Sequence, residues 1–369
     1  GKHLWSTLLA SDRRDAALHV GGDTITARVW LDASKDLGGG PVSPAGYRHD
    51  LIASFDSAGK HLASFASSAW QTGSGEGWGL GSDAQGQTTW VGRLRTEIEL
   101  GDHVLTGWGS PFLASIANDG SIGWARTLRG YFSAPPFFAQ SADGTSVLAQ
   151  RFAHRVDAGG GELKAPKKAH NFYIASYDAQ GNHLWSKVFG SDELLNISHL
   201  AVGPRGAVIA GTIRGEVDFG GVALRTTYPH HLYLAAFDTR GEHRWSKVLK
   251  SSSVDGLVVD GEGNTTILGH LSGRTDFTGA PLKPAKKAGL FVGRFDPRGT
   301  PLWTRELAPF DISGTTLDMA LDGKNLVIAG TNDRRPLQQL TVVGLDAAGN
   351  HRFSRPLCSG TSVHTSALT

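Results

Sequence analysis

The stretch Asp178-Ala-Gln-Gly181-Asn-His-Leu-Trp185 decides the fold, because its pattern occurs seven times along the chain. Most copies place a tryptophan four residues after the turn glycine, as Gly181 and Trp185 do. Successive turn glycines are 58, 61, 61, 60, 58 and 50 residues apart. Self-similarity at such a period is typical of repeat architectures. The seven glycines are Gly1, Gly59, Gly120, Gly181, Gly241, Gly299 and Gly349.

The fourth repeat shows what one unit contains. Four short runs rich in β-branched and aromatic residues occupy 198–206, 207–213, 232–237 and 243–249, with Gly, Asp and Pro between them. Such runs, bounded by turn residues, predict β-strands. Each repeat is therefore expected to be a four-stranded antiparallel meander, with strands A, B, C and D in chain order. No segment has a convincing helical period, so the predicted fold class is all-β.

Six such units close most economically around an axis as a β-propeller, which leaves only short sheet edges. We expect one domain over residues 1–369 with six blades, in which residues 1–9 add a closing outer strand to the last blade. Seven blades are the alternative, if residues before Gly1 were cut away or if Thr361–Leu368 starts another blade. The predicted blades are approximately 10–67, 68–129, 130–190, 191–250, 251–307 and 308–357.

A second recurring segment lies between strands B and C, as in Val156-Asp-Ala-Gly-Gly-Gly and Val217-Asp-Phe-Gly-Gly. About twenty residues later comes a strand such as Tyr173-Ile-Ala-Ser-Tyr-Asp, followed by the glycine turn. This order resembles the bacterial β-propeller repeat proteins. The resemblance implies a propeller that is secreted, periplasmic or on the bacterial cell surface, and it implies no common catalytic constellation. The second repeat lacks this segment and the first has Ala63 at the tryptophan position, so specialisation or decay is expected there.

Composition narrows the class of partner and cofactor. The formal net charge is only +2, so the overall field does not predict binding to nucleic acid or anionic lipid. Cys358 is the single cysteine, which excludes an intrachain disulfide framework and a thiolate metal cluster. No apolar run is long enough for a spanning helix. We expect a monomer without a transmembrane segment, and the start at Gly1 within a repeat suggests a mature or trimmed chain.

In a propeller, the B–C loops and the D–A connections are expected to share one face, where ligands are usually met. Two B–C loops carry lysine triplets at equivalent positions two blades apart. Together with nearby arginines, these side chains favour phosphate, sulfate or carboxylate groups. The alternative is a solvated loop whose charges only keep the protein soluble. The lysines are Lys164, Lys167, Lys168, Lys283, Lys286 and Lys287.

Aromatic residues give a second indication of a ligand face. The D-strand tryptophans are predicted to pack between blades, whereas Trp30, Trp70, Trp78, Trp90 and Trp108 break the repeat pattern. Trp70 and Trp78 flank a glycine-rich D–A connection, and Tyr131 occupies the comparable connection of the next blade. Flat aromatic rings beside polar groups suit stacking on sugars. Filling of the core is the alternative explanation.

The predicted function is non-catalytic binding of a glycan or anionic surface polymer through the loop-rich face. No catalytic residue, metal site or cofactor is assigned, because the recurring histidines follow the turn glycine and belong to the repeat. One alternative is a protein-interaction scaffold or a subunit of an envelope assembly. Another is an enzyme with a site at the channel mouth, which would show as two or more carboxylates, or a His–carboxylate pair, within about 3–6 Å at the channel entrance with shifted pKa values.

Overall fold

The computed structural model describes residues 17–31, 34–42, 49–66, 79–94, 97–132, 134–249, 253–271, 275–276, 281–282, 289–307, 317–331 and 338–360. These residues form strands and turns only. No helix with the length and apolar character needed to cross a membrane occurs in these ranges. The predicted closing strand at residues 1–9 lies outside them.

The fold is an all-β propeller with six four-stranded antiparallel blades, which confirms the predicted fold class. In each blade the strands A, B, C and D are hydrogen-bonded in chain order. The central strands B and C are the most buried: every residue of Pro111–Ile116 and of Gly289–Phe295 is buried on both faces. Because both faces are covered, these strands are mostly apolar without strict alternation, and each includes one buried polar or charged residue, Ser115 and Arg294.

The strand bounds follow the repeats. The first blade contains β1 (Ala17–Gly21), β2 (Thr24–Leu31), β3 (Lys35–Asp36), β4 (Pro41–Val42), β5 (His49–Asp56) and β6 (His61–Ala66). The second contains β7 (Leu80–Ser82), β8 (Thr88–Arg93), β9 (Glu97–Leu100), β10 (His103–Thr106), β11 (Pro111–Ile116) and β12 (Ile122–Thr127). The third contains β13 (Arg129–Phe132), β14 (Phe137–Gln140), β15 (Ser146–Asp157), β16 (Glu162–Lys164), β17 (His170–Tyr177) and β18 (His183–Ser191).

The remaining three blades continue the numbering. The fourth contains β19 (Leu195–Gly203), β20 (Gly206–Val217), β21 (Leu224–Phe237) and β22 (His243–Leu249). The fifth contains β23 (Ser253–Val259), β24 (Thr265–Leu271), β25 (Thr275–Asp276), β26 (Pro281–Leu282), β27 (Gly289–Phe295) and β28 (Pro301–Glu306). The sixth contains β29 (Leu317–Asp322), β30 (Asn325–Thr331), β31 (Gln338–Leu345) and β32 (His351–Gly360).

The chain contacts divide into two compact units. The first unit comprises Gly1–Ala165 and Phe172–Val188, and the second comprises Pro166–Asn171 and Phe189–Thr369. Each has its own apolar clusters: Trp90 packs edge-on against Phe112 in the first, and Phe291 and Phe295 are fully buried in the second. The single domain expected from the sequence stays a prediction.

The repeated turn is stabilised by its aspartate and glycine. Asp178 Oδ1 accepts hydrogen bonds from the backbone N–H groups of Gln180 (3.0 Å) and Asn182 (2.7 Å). Gly181 has φ +72°, and a Cβ there would lie 2.6 Å from Cε3 of Trp124 in the preceding blade. The indole N–H of Trp124 donates to the carbonyl of Ala179 (2.9 Å). The glycine is therefore required both by its dihedral angle and by the neighbouring tryptophan.

The recurring histidine covers the segment between strands B and C. Asp157 Oδ1 accepts from the N–H groups of Gly159 (2.8 Å) and Gly161 (3.2 Å). The His183 ring lies so close that a Cβ on Gly160 would be 2.2 Å from its Cε1. The first and fourth blades pair His61 with Gly39 and His243 with Gly221 in the same way. These histidines therefore support the repeat.

Candidate functional site

The second blade replaces the glycine segment between strands B and C with a hairpin. Strands β9 and β10 pair from His103 opposite Leu100 to Thr106 opposite Glu97. The residues Gly107-Trp108-Gly109-Ser110 then lead into β11. This blade therefore departs from the repeat where the sequence predicted specialisation or decay.

The backbone that carries Trp108 is fixed by hydrogen bonds. The N–H of Gly109 donates to the carbonyl of Leu94 (2.8 Å), and the N–H of Leu94 donates to the carbonyl of Ser110 (2.7 Å). Gly109 has φ +71°, a value that glycine adopts without steric cost. The Trp108 side chain is nevertheless 82% exposed. A large aromatic surface is thus presented to solvent from a well-held loop.

A cation contacts the loop that carries this indole. Arg93 Nε donates to the carbonyl of Gly109 (3.0 Å), and a Cβ on Gly109 would lie 3.0 Å from an Nη atom of the same guanidinium. The Arg93 side chain is exposed, and Val104 in β10 is 59% exposed. The second blade therefore exposes an aromatic, a cationic and an apolar side chain on the B–C hairpin and its flanking residues. We call Trp108, Arg93 and Val104 the Trp108 patch.

The predicted lysines are placed less uniformly than expected. Lys164 lies in β16, opposite Arg155, and it is exposed. Lys167 is also exposed, and neither lysine has an ion-pair partner within the described ranges. Lys168 Nζ, in contrast, contacts the carboxylate of Asp192. Because this ion pair offsets one of the three charges, the third-blade loop is a weaker cationic surface than its sequence indicates.

The other predicted site residues are not described at side-chain level. Tyr131 lies in β13 with its backbone opposite Ala153. The remaining five predicted site residues lie outside the described residues, so their roles stay predictions. They are Trp70, Trp78, Lys283, Lys286 and Lys287.

A polar cluster that the sequence did not predict lies in the second unit. His270 Nδ1 is 2.7 Å from Asp255 Oδ2 and 3.3 Å from the hydroxyl oxygen of Ser253. His199 Nδ1 is 3.1 Å from the hydroxyl oxygen of Ser198, and the ring also hydrogen-bonds to the Asp255 backbone. The Asp255 and His270 side chains are 27% and 29% exposed. Two imidazoles therefore meet one partly accessible aspartate, and we call this group the His–Asp–His cluster.

Backbone irregularities bring the cluster together. The pairing of β19 with β20 shifts register between Ile197 and His199, which leaves Ser198 without an opposite residue. The pairing of β23 with β24 shifts between Val254 and Gly256, which does the same for Asp255. Bulges of this kind redirect side chains and are frequent beside functional sites.

The two imidazoles have opposite pKa shifts. The hydrogen bond from the ring to Asp255 raises the pKa of His270, and this effect exceeds the lowering by burial. Burial lowers the pKa of His199, and this exceeds the opposing effect of the Asp255 charge. The two environments therefore act in opposite directions, toward the charged form of His270 and toward the neutral form of His199. No group of three His, Cys, Asp or Glu side chains in the described part of the chain has a metal-binding arrangement.

A separate open cleft of about 770 Å³ lies at the turns of the second unit. Arg205 and Glu262 line it, and Arg205 Nε donates to the Glu262 carbonyl (3.0 Å). Lys324 forms an ion pair with the Glu262 carboxylate. The Glu262 carboxylate is therefore paired with Lys324, whereas Arg205 contacts only the Glu262 backbone, and these contacts alone indicate no specific ligand.

Comparison with known proteins does not assign the chain to a family. No protein-family model matches the chain, and no curated protein is similar to it in sequence. The chain is similar in fold to the Dos1 propeller, at 11% identity over 94% of this chain and 84% of that one, with a TM-score of 0.43. It is also similar to the hydrazine synthase of Kuenenia stuttgartiensis (10% identity, 92% and 80%, TM-score 0.46). The chain is also similar in fold to a polysaccharide lyase, an ulvan lyase bound to its saccharide. The identity is 13% over 90% of this chain and 81% of that one, with a TM-score of 0.46. None of these similarities indicates an activity.

Proposed function

We propose that the protein binds a glycan, in particular an acidic surface polymer, without catalysing its breakdown. The proposal includes export by a bacterium, as the repeat resemblance implies, and a monomeric state. The ligand stacks on Trp108, and Arg93 of the same unit attracts its anionic groups. The lysines of the B–C loops are proposed as a further basic surface. Trp70, Trp78 and Tyr131 remain proposed additional contacts.

The exposure of Trp108 is the observation that carries this proposal. Exposing an indole to water forgoes the stabilisation of about 1.5–3 kcal/mol that burial of a large apolar side chain provides. The surrounding backbone bonds fix the loop that carries the ring, so a ligand meets a loop that needs little further ordering. The CH-rich face of a sugar ring suits such a surface, and the adjacent Arg93 favours sugars that carry carboxylate or sulfate.

Binding to an array of neutral and acidic glycans tests the stacking contact. We expect Trp108→Ala to reduce retention of the best ligand about tenfold, which corresponds to about 1.4 kcal/mol. Leu302→Ala is the matched control, because Leu302 is an apolar side chain in the D strand β28 that is 51% exposed. Equal retention by the Trp108→Ala variant and the native chain would contradict the proposal.

Salt dependence tests the charged part of the proposal. Replacing the six lysines Lys164, Lys167, Lys168, Lys283, Lys286 and Lys287 with Ser is expected to leave the melting temperature nearly unchanged and to weaken retention on acidic glycans. Native binding is expected to weaken as ionic strength rises, since exposed charges are screened. Salt-independent binding to a protein partner, with no glycan retained, would favour a protein-interaction scaffold instead.

A further inference from the structure

The open cleft at the turns of the second unit is built from residues that the repeat does not require. Its walls come from the A–B turn of the fourth blade and from the A–B and C–D turns of the fifth. Its volume of about 770 Å³ lies in the range of small-molecule sites. We call it the Arg205 cleft, and its lining residues are Pro204, Arg205, Gly261, Glu262, Asn264 and Pro297.

The fourth blade departs from the repeat at a D-strand position beside this cleft. Arg244 directly precedes the D-strand tryptophan, where the third and fifth blades have the exposed leucines Leu184 and Leu302. One Nη atom of Arg244 donates to the carbonyl of Arg205 (3.4 Å), and the other donates to the carbonyl of Pro297. Both carbonyl groups belong to lining residues, so Arg244 joins two walls of the cleft.

The Arg205 guanidinium is held in place and still has donors to offer. Its Nε donates to the carbonyl of Glu262 (3.0 Å). Its stem crosses Gly263, where a Cβ would lie 2.6 Å from Arg205 Cδ, so a larger residue would displace it. Among the described residues, the Nη groups of Arg205 have no hydrogen-bond acceptor, and the residue is exposed. A fixed guanidinium with free Nη groups suits a carboxylate.

An accepting group and apolar rings complete the cleft. The Glu262 carboxylate pairs with Lys324, but the two side chains are 55% and 61% exposed. An ion pair so open to water is weak, and a carboxylate has lone pairs for several donors, so hydroxyl groups of a ligand can also donate to Glu262. Pro204 and Pro297 add apolar ring surface. The cleft therefore offers a donor fork, an anionic acceptor and apolar contact.

We propose that the Arg205 cleft binds a hexuronate, a sugar that carries a carboxylate at C6. The carboxylate binds the Nη groups of Arg205, the ring hydroxyls donate to Glu262, and the CH-rich ring face packs on the prolines. The class of ligand rests on the proposed function. The cleft adds to it a binding site in the second unit, whereas the Trp108 patch belongs to the first.

The charges of the cleft favour a sugar acid over other anions. Sulfate has acceptors only, so it gains at Arg205 but meets the Glu262 carboxylate as a second anion. An amino acid brings an ammonium group, which Arg205 and Arg244 repel. Asp238 and Asp296 act on Arg244 electrostatically, but each accepts hydrogen bonds from the backbone of its own turn. A hexuronate has one negative charge and several hydroxyl donors, so it satisfies both Arg205 and Glu262.

Ligand-observed NMR on the full chain tests the assignment with sodium D-galacturonate, D-galactose and sodium sulfate at constant ionic strength. We expect galacturonate to bind about tenfold more tightly than galactose, the size of one charge-assisted hydrogen bond. Arg205→Gln is expected to weaken galacturonate binding about tenfold, to the level of galactose. Glu262→Gln is expected to reduce the preference for galacturonate over sulfate, because it removes the charge that disfavours sulfate.

A second arginine of the fourth blade is the matched control. Arg240 lies in the C–D turn, is exposed, does not line the cleft and is 3.6 Å from Asp238. Arg240→Gln is expected to keep the native affinity for galacturonate. The assignment is overturned if galacturonate binds no more tightly than galactose, if sulfate binds as tightly as galacturonate, or if Arg205→Gln and Arg240→Gln weaken binding equally.

The cleft and the Trp108 patch fail separately. Trp108→Ala is expected to leave galacturonate binding unchanged. If Trp108→Ala loses glycan retention while Arg205→Gln keeps the native affinity for galacturonate, only the hexuronate site is wrong. If Arg205→Gln loses galacturonate while Trp108→Ala retains glycans like the native chain, only the stacking contact of the proposed function is wrong.

Discussion

The third and second blades use the same place in the repeat in opposite ways. In the third blade the segment between strands B and C is closed by Asp157 and covered by His183. In the second blade the corresponding hairpin ends in Trp108, which is 82% exposed. The contrast indicates that residues which follow the repeat stabilise the blade. Where the second blade departs from the repeat, a side chain is left exposed and can contact a ligand.

The largest expected effect on stability distinguishes Trp185 from Trp108. Trp185, at the repeated D-strand position, is 9% exposed, and Trp185→Ala is expected to lower the free energy of unfolding by about 3 kcal/mol or more. Trp108→Ala removes the same atoms from an exposed site and is expected to change it by less than about 0.5 kcal/mol. Denaturant titration of both variants measures the difference. Equal losses would show that the comparison between the blades is wrong.

The next effect concerns a histidine of strand A in the first blade. Burial lowers the pKa of His19 from 6.5 to about 4, and its Nδ1 accepts from the N–H of Ser82 (3.1 Å). Between pH 6.5 and 4 the unfolded chain takes up a proton that the folded chain does not. The free energy of unfolding is therefore expected to fall by about 3 kcal/mol as the pH drops through this window. His19→Gln should remove this part of the pH dependence.

The contribution of His270 to the free energy of unfolding is expected to depend on pH in the opposite direction from that of His19. Asp255 raises its folded pKa, so its stabilising contribution is complete below the unfolded value near 6.5. That contribution is lost as the pH rises through the folded pKa. Comparing the unfolding free energy of His19→Gln and His270→Gln between pH 4 and pH 8 distinguishes the two environments. Parallel pH profiles for the two variants would argue against the hydrogen bonds described for them.

The smallest of these stability effects tests the turn itself. Gly181→Ala introduces a Cβ at φ +72° and 2.6 Å from the Trp124 ring, so we expect a loss of about 1–3 kcal/mol. Gly261→Ala is the matched control, because a Cβ there meets no atom within 4 Å. Thermal denaturation measures both. A smaller loss at Gly181 than at Gly261 would mean that the indole moves away without cost.

The repeat made much of the fold predictable. The turn glycines and D-strand tryptophans recur because each blade must satisfy the same hydrogen bonds and fill the same space, so strand order and blade number follow from their spacing. Ala63 fits this rule, since it takes the tryptophan position and a Cβ on Gly120 would lie 3.4 Å from its Cβ atom. The lysine-rich B–C loops could be identified from the sequence. The ion pair between Lys168 and Asp192 could not, because it depends on where strand β18 ends.

The functional residues were harder to predict for a physical reason. Trp108 was recognised only as an exception, because its exposure depends on the backbone bonds between Leu94, Gly109 and Ser110. The His–Asp–His cluster combines residues from two blades and depends on two register shifts that leave no trace in the spacing of the chain. Polar residues inside otherwise apolar A strands were the available signal. That no catalytic residue is assigned stays a prediction.

Three indole bonds between blades run in the same direction. Trp124 donates to Ala179, Trp245 to Pro297 and Trp303 to Ala347, in each case from one blade to the turn of the blade that follows. A fragment cut after a whole blade would consequently end with an unsatisfied donor and begin with an unsatisfied acceptor. Since these two edges are complementary, such fragments are expected to join head to tail into open chains rather than to pair symmetrically.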